Sequence, residues 1–278
     1  MVLHAGACGR VGHRRTIIEE AVVLGLLSPG TTAFFCAVTR SSCPALSIAI
    51  MGTSELTAAG VRPGDDVVVP AYGGTEVART VRELGARPVF ADIDPRSFCL
   101  DPAAVETAVT PATVAVVPVH LFGHPADMVC LQELAQRRGL RMVDIDAGPE
   151  VVAVDAVRRR QYATYLDMRL RGVVVPSVAA GVEHAYTDYV VRVPGNGRPD
   201  RDAFKYALRA RGVPCYVPVK TPAHRTAEFR TDVRLPESER AADESLALPL
   251  EASMTKRELQ RVVSACNGLG GLLMEPAC

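Results

Sequence analysis

The stretch that decides the fold is "DVVVPAYGGTEVARTVRELGARPVFADID", residues Asp66 to Asp94. Two β-branched apolar runs, "DVVVPAY" and "RPVFADID", flank "TEVARTVRELGA", whose apolar residues recur at helical spacing. Strands that are apolar almost throughout need cover on both faces, so strand, helix and strand here read as a βαβ unit of a parallel sheet. Outward from it, "TVAVVPVHLFG" and "RMVDIDA" repeat the strand pattern, and "DPAAVETAVT" and "ADMVCLQELAQRRG" repeat the helical one. Upstream, "ALSIAIM" runs into "GTSELTAAG", another strand-to-helix junction. Right-handed crossovers place such helices on both faces of the sheet. The expected class is therefore α/β, a three-layer domain with a mainly parallel sheet.

After Pro149 the alternation stops. "DAVRRRQYATYLDMRLRG" has helical spacing; "GVVVP", "AYTDYVVRV" and "VPCYVPV" read as strands around the helix "DRDAFKYALRARG"; "TKRELQRVVSACNGL" reads as a last helix, and "PGNGRPDRD" as a surface turn. That mixture predicts a small C-terminal α+β domain. The boundaries expected are 1–155 for the α/β domain and 156–278 for the small one.

Composition narrows the function classes. Apolar residues make up 48% and charged residues 22%, and 31 basic residues balance 31 acidic ones, so no electrostatic footprint points to nucleic acid or an anionic membrane. Small-molecule chemistry or protein contacts are expected instead. The apolar run from Ala21 to Leu27 is far shorter than a membrane span, and a cytoplasmic chain is expected. The 8 cysteines form no C-x-x-C pair and several sit in apolar runs, where a thiol acts as a small hydrophobe. Lysine is scarce: Lys205, Lys220 and Lys256 are the whole set.

Ligands of open parallel sheets bind beyond the carboxyl ends of the strands. The first junction there is Gly52-Thr53, where glycine permits close backbone approach and a helix N-terminus offers N–H groups to a phosphate. A simple N-cap by Thr53 or Ser54 explains the same residues. In "PAYGGT", Tyr72 could face a planar ligand while Gly73 and Gly74 keep the loop open; a glycine turn with Thr75 capping the next helix is the alternative. His120 and His124 have metal-like spacing, but Gly123 and Pro125 break the helix that would align them, so His120 is expected to be hydrogen-bonded at its strand end and no metal is expected. In "VDIDAG", Asp144 and Asp146 share a strand face, and a carboxylate at a buried strand end needs a cation, a protonated heterocycle or backbone donors. Capping of the next turn would also satisfy it. No G-x-S-x-G, Walker or G-x-G-x-x-G pattern is present.

Taken in order, "GTSEL…GVRPGDDVVVPAY", "GARPVFADIDPRSFCLDPAAVETAVTPATVAVVPVHLFGHPADM" and "LRMVDIDA", then "HAYTDYVVRV", "RDAFKYALRARGV", "PAHR" and "LPESERAADESLALPL", resemble the DegT/StrS-type sugar aminotransferases, pyridoxal-phosphate enzymes of fold type I. The resemblance implies a keto-sugar or keto-cyclitol substrate in antibiotic or cell-surface sugar pathways, and a dimer. It implies that Gly52 and Thr53 hold the cofactor phosphate, that an acid of the "VDIDA" strand pairs with the pyridine nitrogen, and that His224 lies near the substrate. The chain departs from the family pattern in three places. Gly73 and Gly74 stand where the family carries a ring-stacking aromatic. Ungapped alignment places Ile145 at the family's aspartate, so Asp144 or Asp146 would have to substitute.

The largest departure lies between "VDIDAGPE" and "VVAVDAVRRRQ", where the family has two more strands and the lysine that forms the cofactor imine. None of the three lysines has a comparable context; Lys220, in "VPVKTPAHR", lies nearest the presumed cleft. The loss should leave unpaired edges beside the "VDIDA" and "ALSIAIM" strands or force them to pair directly. Transamination needs that lysine to hold the aldehyde and to move the proton, so the chain alone is expected to be impaired and any pyridoxal phosphate to be held without a covalent bond. The expectations are a member of the family acting as a homodimer or as a heterodimer with an intact aminotransferase, or else a non-catalytic auxiliary subunit or remnant that binds one.

Overall fold

The computed structural model describes residues 53–144, 153–194 and 200–270. Four parallel strands form its larger sheet: β1 (Asp66–Pro70), β2 (Arg87–Ala91), β3 (Thr113–Val116) and β4 (Arg141–Met142), in the order β2-β1-β3-β4. Its fold class is α/β with a mainly parallel sheet, as the alternation predicts. β1 is central and buried along its whole length. Its side chains alternate between two layers, as a strand's two-residue period requires. Val67 and Val69 pack with Leu56, Val77, Val81 and Phe90, whereas Val68 packs with Leu100, Val105, Leu131 and Leu134 on the other face. Helix α1 (Thr75–Glu83) and the helical residues 53–58 thus cover one face, and α2 (Pro102–Ala108) and α3 (Met128–Arg138) the other.

The local signals explain where these helices begin and end. Asp101 caps α2 by accepting the Ala103 N–H, with Pro102 at the first helical position, where the missing N–H costs nothing. Asp127 caps α3 through the Cys130 N–H, and Gly139 ends it in the left-handed conformation. β4 is shorter than "RMVDIDA" suggests: it pairs with β3 through two residues, Arg141 and Met142. The expected "ALSIAIM" strand, Gly52, Asp146 and the junction at 145–152 lie outside the described residues.

The C-terminal part is built on a two-stranded antiparallel sheet, β5 (Tyr189–Arg192) against β6 (Ser245–Leu248). Helices α4 (Ala153–Asp167), α5 (Asp200–Ala210) and α7 (Lys256–Gly270) bury Leu166, Leu208 and Val262 with Val191 and Leu246 in one cluster. A further helix, α6 (Pro236–Glu244), leads directly into β6. Two expected strands are corrected here. "GVVVP" contributes a single bridge, Val174 to Arg192, and "VPCYVPV" a single bridge, Tyr216 to Ala247. Prolines 176, 214 and 218 remove the N–H groups that longer ladders would need. Conversely, β6 was not expected as a strand, because a serine and three apolar residues directly after a helix carry no turn signal.

Candidate active site

The carboxyl ends of the four parallel strands carry the candidate residues, and the structure brings some of them together. His120 follows β3 and Asp144 follows β4. The His120 Nδ1 accepts the Ala126 N–H at 2.9 Å, which leaves the ring hydrogen on Nε2, 3.4 Å from the Asp144 carboxylate. The expected strand-end hydrogen bond of His120 is thus present. Asp144 is 45% exposed, so it keeps a face open to an incoming cationic or N–H-bearing group. His124 is engaged apart from His120, with its Nδ1 2.7 Å from the Pro125 carbonyl oxygen and its ring edge-on to His184.

A second acidic group, which the sequence reading passed over, joins this pair. Glu55 belongs to the helical residues 53–58, and its Oε2 is buried without a hydrogen-bond partner. Burial first, and the nearby Asp144 charge second, push its carboxyl above the usual range. Thr53 begins the described part of the same helical segment, and its carbonyl accepts the Thr57 hydroxyl at 2.7 Å. Its partner in the phosphate reading, Gly52, lies outside the described residues, as does Asp146.

Tyr72 follows β1 and is fully buried. Its ring packs 5.9 Å from Phe98 and 6.3 Å from Phe122, so its surroundings are protein rather than an open ligand face. The two following glycines close the loop rather than hold it open. A Cβ on Gly74 would lie 2.1 Å from the Pro70 carbonyl oxygen, and one on Gly73, at φ +79, would lie 2.6 Å from the Leu121 side chain. An aromatic residue at either position would require the loop to move.

His224 is also fully buried, in the short 3₁₀ turn Ala223–Arg225, which the Ala223 N–H ties to the Ala71 carbonyl at 2.7 Å. Its Nε2 lies 3.1 Å from Glu239 Oε1, which Arg225 also contacts at 2.6 Å, and its Nδ1 is buried without a partner. The bonds from His224 and then Arg225 hold the Glu239 carboxyl below the usual range. Lys220 is exposed four residues earlier. Lys205 bonds to Asp202 at 2.7 Å and lies over the Tyr206 ring, and Lys256, exposed, opens α7. None of the three is hydrogen-bonded to His120, Asp144 or Glu55 among the described residues.

The sequence reading also missed Asp92, at the end of β2. Its carboxylate accepts the N–H groups of Glu237 and Ser238, at 2.9 and 2.7 Å, and the Ser238 hydroxyl at 2.6 Å. It is the tertiary N-cap of α6 and pins that helix to the rim of the sheet. The "PESE" start of that helix signals that a cap is needed, but not which residue provides it.

The profile of the DegT/DnrJ/EryC1/StrS aminotransferase family matches residues 31–148 and 151–267. A UDP-N-acetyl-3-dehydro-alpha-D-glucosamine 3-aminotransferase of Acidithiobacillus ferrooxidans is 25% identical over 295 residues, covering 75% of this chain and 79% of that one. An L-glutamine:2-deoxy-scyllo-inosose aminotransferase of Streptomyces kanamyceticus is 49% identical over 89 residues, 32% of this chain and 21% of that one. Among solved structures, NtdA of Bacillus subtilis with bound cofactor PMP superposes with a TM-score of 0.71 at 20% identity, over 81% of this chain and 72% of that one. Among the described residues no helix is long and apolar enough to cross a membrane.

The chain belongs to the DegT/DnrJ/EryC1/StrS aminotransferase family.

Proposed function

We propose that this family member serves amination of a keto-sugar or keto-cyclitol in a secondary-metabolite pathway of the cytoplasm, and that it does not complete the reaction as a solitary chain. The observation that carries the reading is that, among the described residues, none of the three lysines is hydrogen-bonded to the His120–Asp144 pair. Two features of the comparisons support it. The family match breaks between residues 148 and 151, at the junction where the lysine segment should stand. The alignment to the glucosamine 3-aminotransferase runs over 295 positions but takes in 75% of 278 residues, about 208, so roughly 87 of its positions have no counterpart in this chain. We place the division between the α/β part and the C-terminal part at 155/156.

The family's cofactor is pyridoxal phosphate, and the residues present fit it incompletely. Asp144, oriented by His120 and half exposed, suits the acid that faces a pyridine nitrogen, and Thr53 suits the phosphate end. Against the fit stand the closed Gly73-Gly74 loop, the fully buried Tyr72, and the Glu55 carboxylate beside Asp144. No amine is in place for an imine, so no catalytic step is assigned through the cofactor. Any cofactor is held non-covalently, with Asp144 rather than a lysine as its main anchor.

A second reading follows from the same lysine gap: an auxiliary subunit, or remnant, that pairs with an intact paralogous aminotransferase. The test is the visible spectrum of the purified chain with pyridoxal phosphate, before and after borohydride, alone and after co-expression with an intact paralogue. The proposal expects no borohydride-trapped lysine in the chain alone. A stable imine trapped on Lys220, Lys205 or Lys256 would overturn it. Recovery of a heterodimer, with the imine only on the paralogue, selects the auxiliary role; a homodimer that binds the cofactor reversibly selects the first reading.

A further inference from the structure

Apart from the His120–Asp144 pair, charged side chains of both signs line an open cavity in the C-terminal part. Its volume is about 400 Å³, and three segments wall it: the start of α4 with Asp155, Arg158 and Arg159, the approach to β5 with Thr187, and the stretch between β6 and α7 with Glu251 and Ser253. Arg158, Thr187, Glu251 and Ser253 are exposed and Asp155 and Arg159 partly so, which lets a solute reach them without rearrangement of the fold.

The charges here are left unpaired. Asp155 stands three and four residues before Arg158 and Arg159, spacings at which a helix brings acid and base together. Yet among the described residues neither arginine makes an ion pair or a side-chain hydrogen bond, whereas the next residue, Arg160, pairs with Glu183 at 3.4 Å. Among the same residues the Asp155 carboxylate has no partner either. Glu251 keeps one oxygen free, because the Ser253 hydroxyl donates to its Oε2 at 3.3 Å. Two guanidinium groups and two carboxylates thus share one cavity with no ion pair between them, and both signs are available to an incoming molecule.

We propose that this cavity binds a free α-amino acid with a small polar side chain. Arg158 and Arg159 take its carboxylate, because a planar guanidinium fork matches the two carboxylate oxygens. Asp155 and Glu251 take its ammonium group. The balance of charge sets the class of ligand: a phosphate or other dianion loses to the two acids what it gains from the two arginines, whereas a zwitterion meets both signs. The Thr187 hydroxyl donates toward Asp188 at 3.5 Å and that of Ser253 toward Glu251, so the lone pairs of both oxygens remain to accept from an amide or hydroxyl side chain. The cavity volume lies within the range of small-molecule sites. None of these residues belongs to the strand-end group, so the proposal holds whether or not the chain transaminates.

Isothermal titration of the full chain with L-asparagine tests this. Saturable binding is expected. Succinamate, which is asparagine without its ammonium group, and β-alaninamide, which is asparagine without its carboxylate, should each bind about tenfold more weakly. The double variant Arg158→Gln/Arg159→Gln should weaken asparagine about tenfold and leave β-alaninamide unchanged, whereas Asp155→Asn/Glu251→Gln should weaken asparagine without weakening succinamate. Should either variant not fold, the comparison of the three ligands on the unaltered chain decides alone. No saturable binding of asparagine, equal binding of asparagine and succinamate, or displacement of asparagine by an equal concentration of inorganic phosphate would each overturn the proposal.

Discussion

Replacing Asp92 with alanine should loosen the attachment of α6 to the sheet, and the size of the effect follows from the groups left behind. The substitution strips the acceptor from three backbone N–H groups, those of Ile93, Glu237 and Ser238, and one hydroxyl, at 2.6 to 3.0 Å. Loss of an N-cap alone costs about 1 kcal/mol, and hydrogen bonds to a charged group contribute about 1.5–3 kcal/mol each. Ser238 is fully buried, so water cannot replace the acceptor at its hydroxyl without the helix shifting. Partial relaxation of the helix start brings the expected total to about 3 kcal/mol. With a urea slope of about 3 kcal/mol/M this is a fall of about 1 M in the unfolding midpoint, or about 6–12 °C in Tm. Asp92→Asn keeps one acceptor oxygen and should lose about half as much. Equilibrium urea unfolding followed by far-UV circular dichroism measures both variants. A loss below about 0.5 kcal/mol for Asp92→Ala, with unchanged slope, would refute the argument that this carboxylate caps the helix.

Three further outcomes are expected. Nitrogen-15 spectra should show the neutral His120 ring protonated at Nε2, as the Ala126 N–H bond to Nδ1 dictates; an Nδ1–H tautomer would contradict the Asp144 pairing. His184 is held down to about 3 by burial, with the His124 charge second. Its unfolded form takes up a proton near 6.5 while the folded form does not, so stability is full above that pH and falls as pH drops from about 6.5 toward 3. His184→Gln should flatten this acid limb in urea unfolding across pH, and an unchanged slope would count against it. Gly74→Ala, with its Cβ 2.1 Å from the Pro70 carbonyl, should cost about 2–3 kcal/mol in thermal unfolding. Gly64→Ala, at φ +91 in open space, should cost only about 1 kcal/mol, and equal losses would remove the steric account.

The parallel strands and their helices were legible because their signals are local. Three consecutive valines in β1, Asp101-Pro102 before α2, and Asp127 and Gly139 around α3 each act within a few residues. The candidate site was only half legible. Asp144 and His120 stand at strand ends where a ligand-binding sheet concentrates its chemistry, and both fall at the rim. Glu55 was hidden because a glutamate in a first helical turn has an ordinary explanation at the helix dipole. An aromatic after a strand signals nothing about what covers its ring, and only the structure shows Tyr72 packed against Phe98 and Phe122.

The amino-acid sequence by itself determined the α/β class, the parallel order of its units, the family and the scarcity of lysine. Those properties rest on periodicity, on short-range capping and on which residues are present at all. Only the tertiary structure decided which donors meet which acceptors: Asp92 capping a helix 145 residues away, β6 pairing with β5, and the proton position on His120. The physical reason is that a buried polar group must be satisfied by whatever the fold brings within about 3 Å, and sequence separation carries no record of that distance.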